Sequence, residues 1–148
     1  MTSRHLLSAF ALMIGHRGAY LIAKGLLYCF YGFGLVTVVG NYPAPLRAHY
    51  SVLELVMPLI GWGALWLLVG VVSILAGLFG MPPPNIARPI AFGGLMFMAT
   101  VWAVGICAVP FVSDDAVVSP WISGALFASL MASTAIVASW PDRGGVPQ

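Results

Sequence analysis

The sequence predicts an all-α integral membrane protein, a four-transmembrane-helix bundle with both termini in the cytoplasm. The chain is 61% hydrophobic and only 7% charged, whereas an ordinary soluble domain has about 25% charged residues. Too few charges remain to cover a water-facing surface, so a lipid bilayer is the predicted solvent. The apolar stretches are continuous and much longer than the roughly ten-residue alternating strands of a membrane barrel, which favours helices.

Residues 1–17 are predicted to be a cytoplasmic or interfacial segment. Its apolar part, residues 6–14, is under half the length that crosses the ~30 Å hydrocarbon core. It is therefore expected either to extend the first helix or to lie along the inner interface. A cleaved signal peptide is not favoured, because His16 and Arg17 stand where a small-residue cleavage site is needed and another apolar span follows.

The first span is predicted over residues 18–39. Its charge-free part, residues 25–39, would be about 22 Å long as a helix, which is shorter than the ~30 Å core. Lys24 is therefore expected near the inner edge, where its long side chain can carry the ammonium to the headgroups. Arg17 and Lys24 are predicted interfacial anchors, and the proline-containing turn over residues 40–45 ends the helix.

Prolines also mark the limits of the other three spans. Pro58 is expected in the first turn of the second span, where its missing amide donor costs least. Pro89 opens the third span, and Pro141 ends the fourth. The predicted spans cover residues 55–79, 89–108 and 118–140, so the transmembrane domain is residues 18–140 and the cytoplasmic tail is residues 141–148.

The basic residues predict how the chain is oriented. Cytoplasmic loops of membrane proteins carry an excess of Lys and Arg. Arg47 is alone on one side of the predicted spans, and the other side has five basic residues: Arg4, Arg17, Lys24, Arg88 and Arg143. This asymmetry predicts cytoplasmic termini and a multi-pass protein of the plasma (cytoplasmic) membrane.

Aromatic residues support the span limits. Trp121 and Trp140 lie at the predicted ends of the fourth span and are expected to be interfacial anchors. Tyrosines near other ends, at positions 20, 42 and 50, fit the same belt. Three other tryptophans lie deeper in the spans: Trp62, Trp66 and Trp102. Two interpretations stay open for them: the indole N–H donates a hydrogen bond to a neighbouring helix, or the ring only packs.

Rows of small residues are the main packing signal in the spans, because lipid tails remove the hydrophobic drive for helix association. The second span has Gly63, Gly70 and Gly77 at seven-residue spacing, with Ser73 close to the same face. The fourth has a four-residue row of Gly124, Ala128 and Ala132, and a neighbouring row of Ala125, Ser129 and Ser133. Such rows serve either packing inside the bundle or association between copies, and the sequence leaves both open.

No catalytic, cofactor or metal site is predicted, and the protein is expected not to be an enzyme. Cys29 and Cys107 are isolated in apolar runs, as buried free thiols are. His5, His16 and His49 do not form a ligand set. A net charge of +2 without a basic cluster argues against a nucleic-acid partner. The expected partners are the lipid bilayer and a second copy or another membrane protein.

Two stretches carry a family resemblance. Arg4 with Leu6-Leu7 precedes His16-Arg17-Gly18-Ala19 and Lys24-Gly25-Leu26-Leu27-Tyr28, and the second span contains Gly61-Trp62-Gly63-Ala64-Leu65-Trp66-Leu67-Leu68. In these stretches the chain resembles small four-helix, holin-like membrane proteins of actinobacterial tailed phages, and the similarity extends over most of its length.

The resemblance implies a role in phage lysis. Copies would accumulate in the host plasma membrane and then associate into lesions that release or activate a cell-wall hydrolase. The alternative is a noncatalytic accessory or scaffold subunit of a larger membrane assembly. A transporter or channel for a small solute is a third interpretation.

Overall fold

The described residues are entirely helical apart from short turns. The computed structural model describes residues 3–38, 49–79, 86–112 and 120–140. In chain order its helices are α1 (Ser3–Val38), α2 (Ser51–Val56), α3 (Leu59–Phe79), α4 (Ala87–Ala108) with a following 3₁₀ turn (Val109–Phe111), and α5 (Pro120–Ser139). Four segments are long and apolar enough to cross a membrane: Gly15–Thr37, Leu59–Phe79, Ala87–Phe111 and Trp121–Ser139. This confirms the prediction of an all-α protein with four candidate spans.

The first helix is interrupted at Gly15. Its φ of 64° and ψ of 173° lie outside the helical region, so α1 consists of an N-terminal helix and a separate membrane-length helix. A residue with a Cβ rarely adopts a positive φ, which explains a glycine at this position. The N-terminal segment is therefore helical, but it does not continue straight into the first span.

The second span begins at Leu59, later than the predicted start near residue 55. The residue before Pro58, Met57, is extended, with φ −160° and ψ 144°. The proline ring clashes with a helical conformation of the residue before it, so the chain breaks here into α2 and α3. The predicted start rests on the missing amide of Pro58, which a first helical turn tolerates, whereas the observed start follows from the restriction on Met57.

Helices α1 and α3 run antiparallel with their backbones in contact. Three pairs of glycines face each other: Gly18 and Gly77, Gly25 and Gly70, and Gly32 and Gly63. A Cβ atom at Gly70 would lie 2.6 Å from the Sγ atom of Cys29 and 2.7 Å from the carbonyl oxygen of Gly25. These distances are too short for real atoms, so the contact requires residues without side chains.

The predicted row on α3 is thus one half of this glycine contact. Ser73, which shares its face, is fully buried. Its hydroxyl donates to the carbonyl of Val69 at 2.8 Å, within its own helix. The Ser73 hydroxyl is therefore hydrogen-bonded within its own helix and forms no bond to another of the described helices. Its small side chain lets Ser73 share the face of the glycine row.

One aromatic ring from each of the four spans meets the others in the interior of the bundle. The rings are those of Tyr31, Trp66, Trp102 and Phe127, and we call them the aromatic centre. All six pairs are in contact, with centroids from 4.9 Å (Tyr31 and Trp66) to 6.3 Å (Trp102 and Phe127) apart. Most pairs meet edge to face, the arrangement that aromatic quadrupoles favour. This cluster joins the α1–α3 pair to α4 and α5.

The three deep tryptophans use their indole N–H groups differently. Trp102 donates to the hydroxyl of Tyr31 at 2.9 Å, and Trp62 donates to the carbonyl of Leu53 in α2 at 2.9 Å. The buried Nε1 of Trp66 has no hydrogen-bond partner in the described part of the chain. Both alternatives suggested by the sequence, bonding to a neighbour and plain packing, therefore occur.

The glycine contact predicts a strong effect of one methyl group. Gly70→Ala should destabilise the protein by about 1–3 kcal/mol, because the backbones of α1 and α3 must separate. Gly93→Ala is the matched control, since no atom lies within 4 Å of a Cβ built there. Thermal unfolding in detergent measures both variants, and equal melting temperatures for the two would contradict the close contact.

The aromatic centre predicts a difference between two tyrosines. Tyr31→Phe leaves the buried N–H of Trp102 without its acceptor, at a cost of about 1–3 kcal/mol. Tyr28→Phe should cost less, because the Tyr28 hydroxyl donates to the carbonyl of Leu95, which the regular hydrogen bonding of α4 already satisfies. Thermal unfolding of both variants in the same detergent measures the two losses of stability. A larger loss for Tyr28→Phe than for Tyr31→Phe would contradict the prediction.

Candidate functional site

Helices α1 and α5 are joined by hydrogen bonds from long polar side chains. Arg17 Nη2 donates to the carbonyl of Ala138 at 3.1 Å, and Lys24 Nζ donates to Ser133 Oγ at 3.1 Å. The Tyr20 hydroxyl lies 3.1 Å from Ser133 Oγ and 3.0 Å from Thr134 Oγ1. We call this seam, lined by Arg17, Tyr20, Lys24, Ser133 and Thr134, the basic groove.

Helix α4 forms the floor of the basic groove. The Arg17 guanidinium carbon lies 5.2 Å from the ring centroid of Phe92, and the Tyr20 ring stacks on the same ring at 6.2 Å. Arg88 is one turn before Phe92 on the same face of α4 and is only 6% exposed. Arg17 and Arg88 therefore lie at one end of the bundle, which we call the basic end, and Lys24 follows Arg17 by about two turns along α1.

Lys24 starts deeper in the bundle than an interfacial residue. Its neighbour Gly25 faces Gly70, midway along α3, which places the Lys24 backbone about 15 Å from either end of that helix. Its side chain extends towards the basic end, as helical side chains do. The ammonium reaches Ser133, about 9 Å before the end of α5.

The partners of Lys24 are neutral. Besides Ser133, its ammonium lies 5.5 Å from the ring centroid of Tyr20, a distance at which cation–π attraction operates. It forms no ion pair in the described part of the chain. The only carboxylate of those residues, Glu54, lies in α2 at the opposite end of the bundle. A partly buried cation in a membrane span is costly and is by default a candidate functional group.

The predicted small-residue row on α5 divides into a buried and an exposed part. Gly124 is buried against Cys107 of α4, whereas Ala128 and Ala132 are exposed. Steps of four residues advance about 400° around a helix, so the row turns away from α4. Phe127 and Thr134, at seven-residue spacing, form the buried face instead.

The exposed residues of α5 form a second candidate surface. Alanine and serine side chains dominate its middle, and we call it the small-residue face: Ala125, Ala128, Ser129 and Ala132. Trp121 and Trp140 lie at the two ends of α5 with 57% and 49% of their surfaces exposed. This placement suits the interfacial anchoring predicted for the two tryptophans, which stays a prediction.

The cysteines and histidines do not converge. Cys29 and Cys107 are free thiols on α1 and α4, each seated over a glycine of a neighbouring helix. His16 is exposed at the basic end, whereas His49 is buried next to α2. The described residues contain no group of three His, Cys, Asp or Glu side chains that could hold a metal ion.

His49 is a buried titratable group outside the candidate spans. It is 6% exposed, its ring lies 5.4 Å from that of Tyr50, and its Nδ1 atom has no hydrogen-bond partner in the described residues. Burial disfavours the charged imidazolium and lowers the pKa of His49 from its usual 6.5. The folded protein therefore holds this ring neutral at neutral pH.

The His49 pKa predicts loss of stability in acid. Because its folded pKa is lower than its unfolded pKa, the unfolded chain binds the proton first as the pH falls. Stability should be full above about pH 6.5 and decline below it. Melting temperatures in detergent at pH 7.5 and 5.0 should differ more for the wild type than for His49→Gln, which has the same remaining titratable groups. An equal difference would show that His49 does not contribute.

No known protein family matches the chain, and no curated protein or solved structure is similar to it.

Proposed function

We propose that this is a noncatalytic, holin-like protein of the host plasma membrane that associates into lesions during phage lysis. The small-residue face of α5 is the observation that carries this proposal. Helices associate in lipid through close backbone approach, which small side chains permit. Ala128 and Ala132 have no partner helix within the described chain, so a second copy is their proposed partner.

The interior of the bundle is filled by side chains, which argues against a passage through a single copy. Trp66 and Trp102 are 1% and 0% exposed at the aromatic centre. A passage along the axis of one chain would have to displace these rings. Any lesion is therefore proposed to form between copies, with the small-residue face as the contact.

The distribution of cations supports the proposed orientation. Arg17 and Arg88 are at the basic end of the bundle and the Lys24 side chain extends towards it, so their charges fit the cytoplasmic side. With four spans, both termini then belong to the cytoplasm. Arg143 in the C-terminal tail is outside the described residues and agrees with this orientation by sequence alone.

The second candidate is an accessory or scaffold subunit that remains a closed bundle. The aromatic centre favours this function, because it joins all four spans through ring contacts. In that case, the small-residue face would bind a helix of another membrane protein. The two candidates differ in what the protein does to a cell that makes it alone.

Induced expression in a bacterial host that also makes a cytoplasmic cell-wall hydrolase separates the two. A holin-like protein should collapse the membrane potential abruptly and then allow lysis. Ala128→Leu should delay or abolish the collapse at equal membrane levels, because the larger side chain keeps two copies of α5 apart. Ala64→Leu, the same change at an exposed position of α3, is the matched control and should act like the wild type.

Two outcomes would contradict the proposal. Intact, polarised cells at high expression of the wild type would favour the accessory function. Normal timing for Ala128→Leu would remove the role of the small-residue face. A potential-sensitive dye and the optical density of the culture record both.

A further inference from the structure

We propose that the basic groove binds the phosphate of an anionic phospholipid, with Lys24 and Arg17 as the groups that recognise it. This site is independent of the proposed role in lysis and would serve a membrane protein of any function. The groove is a side-chain cluster at the edge of the bundle, and three observations support a phosphate ligand there.

The first observation is the spacing of the cations along the groove. Arg17 and Lys24 contact Ala138 and Ser133 of α5, which are five residues or about 7.5 Å apart along the helix. The two cations therefore contact α5 within two turns of each other, and a phosphate group between them can accept a charge-assisted hydrogen bond of about 2.8 Å from each. The fork of Arg17 and the single ammonium of Lys24 suit such a shared anion.

The second observation is the uncompensated charge of Lys24. Ser133 and the Tyr20 ring orient the ammonium without neutralising it. A charge away from water is stable only when it is paired as well as hydrogen-bonded. No carboxylate of the described residues pairs with the Lys24 ammonium, and a bound phosphate would supply the missing negative charge.

The third observation is the position of the groove in the candidate spans. Arg17 bonds the carbonyl of Ala138 near the end of α5, which a helix that crosses the bilayer would place near the headgroups, and the Lys24 side chain extends towards that end. A lipid brings its phosphate to this level with its acyl chains beside α1 and α5. Basic pockets between membrane helices bind anionic headgroups by the same chemistry. A free phosphate would have to leave water to reach Lys24, so the lipid is the favoured source.

The test uses the full-length protein in detergent micelles titrated with phosphatidylglycerol or phosphatidylcholine. Native mass spectrometry counts bound lipid, and the melting temperature reports its effect. We expect phosphatidylglycerol to bind at least about tenfold more tightly than phosphatidylcholine. This preference should fall about tenfold in Lys24→Met and be largely kept in Lys24→Arg.

The matched control is Arg143→Met, which removes one positive charge on the same predicted side and changes none of the five residues that line the groove. It should keep the wild-type preference, because general surface attraction is not the proposed cause. An equal loss in Arg143→Met and Lys24→Met would overturn the proposal, as would unchanged binding by Lys24→Met.

Two further measurements make the result decisive. If Lys24→Met does not melt cooperatively, Arg17→Gln replaces it, with an expected loss of several-fold in lipid preference. Inorganic phosphate at millimolar concentration is added as a competitor in a separate arm. Displacement of phosphatidylglycerol by inorganic phosphate would contradict the proposal that the bound phosphate belongs to a lipid. It would show instead that the groove binds the free anion.

Discussion

The backbone contact between α1 and α3 is the constraint on which the other features of the structure depend. Gly18, Gly25 and Gly32 fix the rotation of α1 because only this face can approach α3 so closely. The row one residue earlier, Arg17, Lys24 and Tyr31, then lies about 100° around the helix and faces α4 and α5. One glycine row therefore positions the basic groove and the α1 ring of the aromatic centre.

The rows on α1 show how much the sequence could reveal. The spacing of the glycines on α3 predicts a packing face, whereas the prediction for α1 rests on Lys24 and on the length of the apolar stretch and does not include the equal spacing of Gly18, Gly25 and Gly32. The basic groove was beyond prediction for a different reason. It depends on α1 and α5 being neighbours, and helix order around a bundle is decided by packing that one sequence does not display.

The failures of detail have local physical causes. Spacing by four predicts a contact row on α5, yet a straight helix rotates such a row by about 40° per step, so of its three residues only Gly124 lies against α4. The start of α3 moved because Pro58 restricts Met57 more than it disturbs its own turn. Composition predicted the four spans well because the energetic cost of exposing polar groups to lipid acts on whole segments, whichever helices they contact.

The two surfaces of α5 are compatible with each other. Ala128 and Ser133 are five residues apart, which places them about 140° apart around the helix. Ala128 is exposed, whereas Ser133 faces Lys24 and Tyr20. A helix docked at Ala128 would therefore lie on a different side of α5 from Ser133, although Ser129, at the border of the small-residue face, is only about 40° from Ser133 around the helix. Each proposal can fail without the other, because self-association is tested at Ala128 and lipid binding at Lys24.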